Sequence, residues 1–460
     1  MFKPELLSPA GTLKNMRYAF AYGADAVYAG QPRYSLRVRN NDFKLENLAQ
    51  GIQEAHDLGK KLYVVSNIAP HNAKLKTYIK DMQPVIDMKP DALIMSDPGL
   101  IMMVREAFPE QEVHLSVQAN AINWASVKFW EQQGIKRVIL SRELSLDEIE
   151  EIRQRCPDIE LEVFVHGALC MAYSGRCLLS GYINKRDPNQ GTCTNACRWK
   201  YDVHEAKENE TGDVVAVQPE APTVQIQTPE PTLGKGAATD NIYLLQEDNR
   251  PGEYMPAFED EHGTYIMNSK DLRAIQHVER LTKMGVDSLK IEGRTKSFYY
   301  VARTAQLYRN AIEDAVAGKE FDPSLMRQLE GLAHRGYTEG FLRRHVHDEY
   351  QNYDYGYSVS DSQQFCGELT GERNYAGLAE IDVKNKFSVG DSVELMTPQG
   401  NMNLKIDGLE NRKGEAVESG KGNGHIVYLD IPKEVDLDKA ILLRNLPQGK
   451  DTRNPHEQAG

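Results

Sequence analysis

A chain of 460 residues with 40% hydrophobic side chains is long enough for one large and one small domain and can fill a sizeable core. Its formal net charge of −13 and pI near 5.5 exclude a protein that grips nucleic acid over its whole surface, though not one with a local basic face. No run approaches the roughly 18 apolar residues of a membrane span. The start, Met1 to Glu5, leads straight into an apolar strand rather than a signal peptide, so a cytoplasmic location is expected.

In chain order, Glu5–Ser8 reads as a strand, followed by a helix near Leu13–Tyr22 and a second strand ending at Tyr28. Leu45, Leu48, Ile52, Ala55 and Leu58 recur at helical spacing, with Gly59 as the cap. Further strands are expected at Lys61–Ser66, Ala92–Met95, Val113–Ser116, Arg137–Leu140, Leu161–Val165 and Ser288–Ile291. Eight strands alternating with helices predict an α/β fold, a (β/α)8-type barrel over residues 1–345. A doubly wound open sheet is the competing arrangement.

A long interruption, about His166 to Arg280, separates the seventh and eighth strands. It carries four cysteines and then a stretch, 205–240, rich in Pro, Thr, Gln and acidic residues, which reads as a loosely ordered insertion. Helices are expected at Tyr299–Ala317 and Pro323–Ala333, and a Tyr- and Ser-rich linker over 346–364. From Phe365 the pattern changes to short strands between glycine turns: Gly377–Asp382, Ser392–Met396, Asn403–Ile406, Gly424–Leu429 and Ala440–Leu443. That predicts a small C-terminal β-barrel over 365–447, then a polar tail, 448–460.

Four of the six cysteines fall within 28 positions, as Cys170-x6-Cys177-x15-Cys193-x3-Cys197. In a reducing compartment such clustering points to metal or redox chemistry rather than disulfides. Thiolates are the soft ligands of zinc and of iron–sulfur clusters. Structural zinc favours two closely spaced pairs, and only Cys193 and Cys197 form one. The irregular first gap suits an iron–sulfur cluster better. Zinc and plain burial stay open as alternatives. Cys170 follows the seventh strand, at the barrel end where active sites collect. Cys156 and Cys366 lie apart and read as structural.

His166, ending the seventh strand, could move a proton or only hold a carbonyl. Glu292 and Arg294 follow the eighth strand; Arg294 could bind a carboxylate, or the two could be a simple ion pair. Gln118 and Asn120, after the fifth strand, could read a base edge or make loop hydrogen bonds. Three basic groups contain aromatic residues: Arg33, Arg37 and Arg39 with Tyr34; Lys185, Arg186, Arg198 and Lys200 with Trp199; and Arg294, Lys296, Arg303 and Arg309 with Tyr299 and Tyr300. Taken singly each reads as solvated surface. On one barrel face together, they suit phosphate contact and stacking on splayed bases.

The stretches from Glu162 to Cys170 and from Ser174 to Ser180 resemble the signature of the collagenase-like peptidase family. Leu7 to Gly11, Asn268 to Leu272, Lys290 to Arg294 and Arg335 to Phe341 extend the resemblance over nearly the whole chain. Asp187 to Gly191 and Cys197-Arg198-Trp199 match the members that modify tRNA. The resemblance implies hydroxylation of the wobble uridine in the tRNA anticodon loop to 5-hydroxyuridine. It implies prephenate as oxygen source, a 4Fe–4S cluster, and no use of molecular oxygen. Relatives hydroxylate a ribosomal RNA cytidine or ubiquinone precursors, which are alternatives here, as is an RNA-binding module holding zinc. Cys170, Cys177 and Cys193 are the implied cluster ligands. Some members add a cysteine where this chain has Arg273, so Cys197 completes the set. His166 and Glu292 become the candidate catalytic groups, and Arg33, Arg37, Arg39, Gln118, Asn120, Arg294 and Lys296 the candidate substrate or RNA contacts. For a peptidase, the chain offers no His-Glu-x-x-His, no Gly-x-Ser-x-Gly and no Cys/His pair outside the cysteine group.

Overall fold

The structure is a computed structural model that describes residues 2–31, 33–36, 42–169, 270–334, 336–343 and 362–446, with short strands between 201 and 264. Strands and helices alternate from the start: β1 Glu5–Ala10, α1 Leu13–Ala21, β2 Ala26–Gly30, α2 Leu45–Asp57, β3 Lys61–Ser66, α3 Asn72–Asp87 and β4 Ala92–Met95. They continue as α4 Pro98–Ala107, β5 Val113–Leu115, α5 Trp124–Gln132, β6 Arg137–Ile139, α6 Leu146–Arg155 and β7 Glu160–Ala168. The eighth barrel strand is Ser288–Ile291, followed by the long helix Phe298–Val316. Helix starts are set locally. Thr12, Asp97, Asn123, Ser145 and Ser297 each accept a first-turn amide, and Ser145 forms a capping box with Glu148.

Strands β1 to β7 pair in parallel in sequence order, and Ser288 lies opposite both Glu5 of β1 and Glu162 of β7. The eighth strand therefore closes the barrel and rules out the open sheet. Fully buried Leu6, Val27, Val64, Leu93, Val138 and Leu161 belong to the core of this barrel.

The interruption is zipped shut at its base. Asp271–Arg273 runs antiparallel to the end of β7, with Asp271 opposite Ala168 and Arg273 opposite His166. Within the interruption, Tyr201–Glu208, Val214–Ala216, Tyr243–Glu247 and Tyr254–Ala257 form a four-stranded antiparallel sheet. Residues 205–208 and 214–216 of the expected insertion are thus strand, and its remaining residues lie outside the described ones.

The C-terminal domain is an eight-stranded antiparallel sheet running from edge strand Gly400–Lys405 to edge strand Ala416–Val417. Among the described residues no ladder joins these two edges, as a closed β-barrel would require. The sheet has its own core, including Ile381, Val393 and Leu442, while Met396, Ile441 and Leu443 pack into the core of the barrel. Arg303, expected on a basic surface, is buried and forks onto Glu394 at 3.0 and 3.1 Å. Tyr18 donates to Glu368 at 2.8 Å across the same boundary. Arg309 turns onto Asp25 and the Gly23 carbonyl. Both arginines are structural clamps, because a guanidinium near packed surface finds a carboxylate before it faces solvent. No described helix is long and apolar enough to cross a membrane.

Candidate active site at the C-terminal rim of the barrel

Parallel barrels usually fill their interior with branched apolar side chains. Here a chain of charges crosses it. Arg137 of β6 lies 2.6 Å from Glu5 of β1 and 3.1 Å from Glu162 of β7. Lys290 of the eighth strand lies 2.7 Å from the other oxygen of Glu162. The Glu162 side chain is wholly buried, and those of Lys290 and Arg137 are 4% and 5% exposed. Charges this deep persist only when paired. Burial lowers the pKa of Lys290, and Glu162 opposes the shift. The ammonium also sits 4.4 Å from the ring centre of Tyr28 and 5.3 Å from that of Phe164.

At the rim, a glycine lets two strands approach closely. Gly167 has φ +103°, and a Cβ there would fall 2.5 Å from the Glu292 carbonyl oxygen. Beside it the Glu292 amide donates to the His166 carbonyl at 2.8 Å, and the Tyr300 hydroxyl donates to the Glu292 carbonyl at 2.8 Å. Tyr28 donates to the Ile291 carbonyl at 2.9 Å and lies 3.3 Å from the Glu292 carboxylate. Glu292 and Arg294 are each 8% exposed. Arg294 donates to Ser35 at 2.7 Å and to the Leu36 carbonyl, fixing the loop after β2. Asn67 fixes the same loop from β3 by accepting from the Leu36 amide at 3.1 Å. Arg142, after β6, lies 4.3 Å from the Phe164 ring centre and donates to the Ala168 carbonyl. Its buried Nε has no hydrogen-bond partner among the described residues.

His166 is 1% exposed and ringed by Tyr300, Tyr308 and Tyr337, with ring centres 5.5 to 5.9 Å away. Burial, with Lys296 and Arg273 adding to it, pushes its pKa down to about 3. Tyr308 gives its proton to the Val165 carbonyl at 2.7 Å. By donor count, its 3.3 Å contact to Nδ1 then has the imidazole donating. His166 is therefore a neutral, oriented imidazole. The unfolded chain binds a proton that the folded imidazole refuses. Stability from this group is complete above the ordinary 6.5 and is lost as pH falls toward 3. The loss reaches about 2 kcal/mol at about pH 5. Histidine-resolved NMR is expected to show an imidazole that does not titrate between about pH 8 and about pH 5; a midpoint near the ordinary value would contradict this placement.

Of the candidate residues, the structure brings His166, Glu292 and Arg294 together, with Lys296 on the turn beyond them. The Lys296 amide donates to the Gly293 carbonyl, and its ammonium lies 5.3 Å from the Tyr300 ring centre. Gln118 is engaged by Asn67 at 2.9 Å, and Asn120, at φ 53°, bonds the Gln118 carbonyl, so both build the loop after β5. Arg33 pairs with Asp81 at 2.5 Å, its side chain 55% exposed, away from the charged interior. Arg37, Arg39, Cys170, Cys177, Cys193 and Cys197 lie outside the described residues, as do Lys185, Arg186, Arg198 and Lys200. Among the described residues no group of three or more His, Cys, Asp or Glu could hold a metal. Cys156 and Cys366 are buried free thiols, and burial pushes Cys366 up to about 12.

The sequence reading missed Lys290, Tyr28, Asn67 and Arg142. A signal for Lys290 was present: Lys290, Glu292 and Arg294 alternate at strand period and so share one face.

Comparison with known proteins adds the following. Residues 11–352 match the model of peptidase family U32, and residues 361–444 match that of the peptidase family U32 C-terminal domain. The chain is 73% identical over 456 residues to tRNA hydroxylation protein P of Escherichia coli K12, covering 99% of this chain and 100% of that one. It is 71% identical to the protein of the same name from Haemophilus influenzae, with 99% of both chains covered. The 23S rRNA 5-hydroxycytidine C2501 synthase of Escherichia coli K12 is 30% identical, over 88% of this chain and 54% of that one.

Proposed function

The chain belongs to peptidase family U32, and from that premise we propose that it is an enzyme hydroxylating the wobble uridine of tRNA to 5-hydroxyuridine. The observation that carries this reading is the 73% identity, along the full length, to tRNA hydroxylation protein P. The target uridine must leave its stack to reach a barrel mouth, which fits a site at the C-terminal rim.

Prephenate is the proposed oxygen source, and the reaction is proposed to proceed without molecular oxygen. Its two carboxylates call for buried cations. Lys290, Arg142 and Arg294 supply three within or beside the mouth. Glu292, held by its backbone on both sides, would orient a hydroxyl of either substrate, while neutral His166 holds the rim in shape.

A 4Fe–4S cluster is proposed on Cys170, Cys177, Cys193 and Cys197. The donor chemistry fits, since four thiols are a soft set for iron. Leu169, the last described residue before Cys170, is 8% exposed, and its neighbour Ala168 accepts from Arg142. When bound, the cluster would supply iron for electron transfer or for polarising an oxygen.

Nucleoside mass spectrometry of tRNA from cells lacking the protein is the test. Wobble 5-hydroxyuridine and its derivatives are expected to fall sharply, and unchanged levels would sink the reading. Protein purified without oxygen is expected to be coloured and to contain iron; a colourless protein with zinc would remove the cluster.

A further inference from the structure

One side-chain amide at the barrel mouth is oriented by a backbone N–H two links away. The Leu36 amide can only donate, and it donates to Asn67 Oδ1 at 3.1 Å. That turns Asn67 Nδ2, again only a donor, toward Ser116 Oγ at 3.2 Å and Gln118 at 2.9 Å. The Gln118 atom it meets is therefore the oxygen, which also accepts from the Ser116 hydroxyl. With its oxygen doubly held, Gln118 directs its amide nitrogen away from these donors. That nitrogen has no hydrogen-bond partner among the described residues and is not sealed from solvent. Gln118 itself is half-buried, so a ligand can reach it. The same bonds lead back to the site, because Arg294 holds Ser35 and the Leu36 carbonyl from the turn beyond the eighth strand. Gln118 follows β5, which stands across the mouth from the eighth strand, with β6 and β7 between them on one side and β1 to β4 on the other.

We propose that Gln118 is a specificity-determining residue whose Nε2 donates to O4 of the target uracil and thereby rejects cytosine. The inference rests on the tRNA uridine reading above. Hydroxylation at C5 requires that edge of the ring to face the reacting groups, and O4 sits on the carbon next to C5. Uracil presents an acceptor there and cytosine an amino donor. A donor fixed in place makes a hydrogen bond to the first and sets two donors face to face with the second. A freely turning glutamine accommodates either base by flipping its amide. Here a flip sets the Gln118 amino group against that of Asn67, whose own orientation the Leu36 amide fixes. Asn67 is thus a positioning residue that acts through Gln118.

Fluorescence anisotropy tests this with full-length protein purified without oxygen and two anticodon-arm hairpins that differ only in U or C at the wobble position. The readout is the ratio of the two affinities, which a loss of stability that weakens both alike does not move. The parent protein is expected to favour U by about tenfold. Gln118→Met keeps the length of the side chain without the donor, and its ratio should fall to about one. Gln118→Glu keeps an acceptor for Asn67 and Ser116 but turns a second acceptor to the base, so it should favour C. Asn67→Asp still accepts from Leu36 but cannot donate to Gln118, which frees the amide to flip, and its ratio should also fall to about one. A parent protein that binds the two hairpins alike, or neither, overturns the role of Gln118, as do variants that keep the parent ratio. The nucleoside analysis of cells lacking the protein is read separately: a fall in 5-hydroxyuridine leaves the tRNA reading standing where Gln118 fails, and an unchanged level defeats both.

Discussion

Gly167→Ala is expected to lower stability by about 2–5 kcal/mol and to remove activity, as read by urea unfolding and by nucleoside analysis. Two costs combine at this position. The backbone is at φ +103°, which a side chain strains to adopt, and the added Cβ would meet the Glu292 carbonyl oxygen at 2.5 Å. That oxygen belongs to backbone held by Tyr300, and the adjoining amide bonds to the His166 carbonyl, so it cannot give way cheaply. Relief requires β7 and the eighth strand to part at the rim. Gly59→Ala is the control. It has φ +65° but nothing within 4 Å of a Cβ, so it carries the strain alone, about 1–2 kcal/mol. Equal losses at the two positions would show that the close approach of the strands does not matter.

Glu162→Gln is expected to cost about 3–5 kcal/mol, because one wholly buried carboxylate serves two buried cations, Arg137 and Lys290. Lys290→Met alone should destabilise for the reciprocal reason, leaving Glu162 with only the more distant arginine. Glu162→Leu combined with Lys290→Met should recover much of the loss, since Arg137 retains Glu5 and Glu160 at 2.6 and 2.8 Å. A double-mutant cycle of Glu162→Leu, Lys290→Met and their combination, measured by chemical unfolding, checks this. Strictly additive losses would mean that the two groups act independently, and the charged interior would then not be one network. If Lys290 also binds a substrate carboxylate, the repaired double variant should be stable yet inactive.

The cysteine spacing, the eight strands and the change of pattern at Phe365 were all readable along the chain. Each is a local property: a period of two or of three to four, a run of apolar residues, a cluster of thiols within one loop. Counting narrowed the fold to a barrel or a doubly wound open sheet, because eight alternating units have few ways to bury both faces of a parallel sheet. Even the helix starts were written locally, in Thr12, Asp97, Asn123, Ser145 and Ser297.

What each charge does was not readable, because partners distant in sequence decide it. Arg303 and Arg309 look like the surface cations beside Lys296, yet one meets Glu394 and the other Asp25. From its position His166 could move a proton or only hold a carbonyl, and it is the fold that surrounds it with three tyrosines and, by burial, pushes its pKa down to about 3. Glu162 passed as one residue of a strand until closure set it between Arg137 and Lys290. Residue order alone determined eight alternating β/α units with a β-domain appended, and the pairing of Ser288–Ile291 with both β1 and β7 decided that they close into a barrel. Tertiary structure alone decided which of its charges stay free to meet a substrate, since a buried charge is fixed by whatever the fold brings within about 3 Å of it.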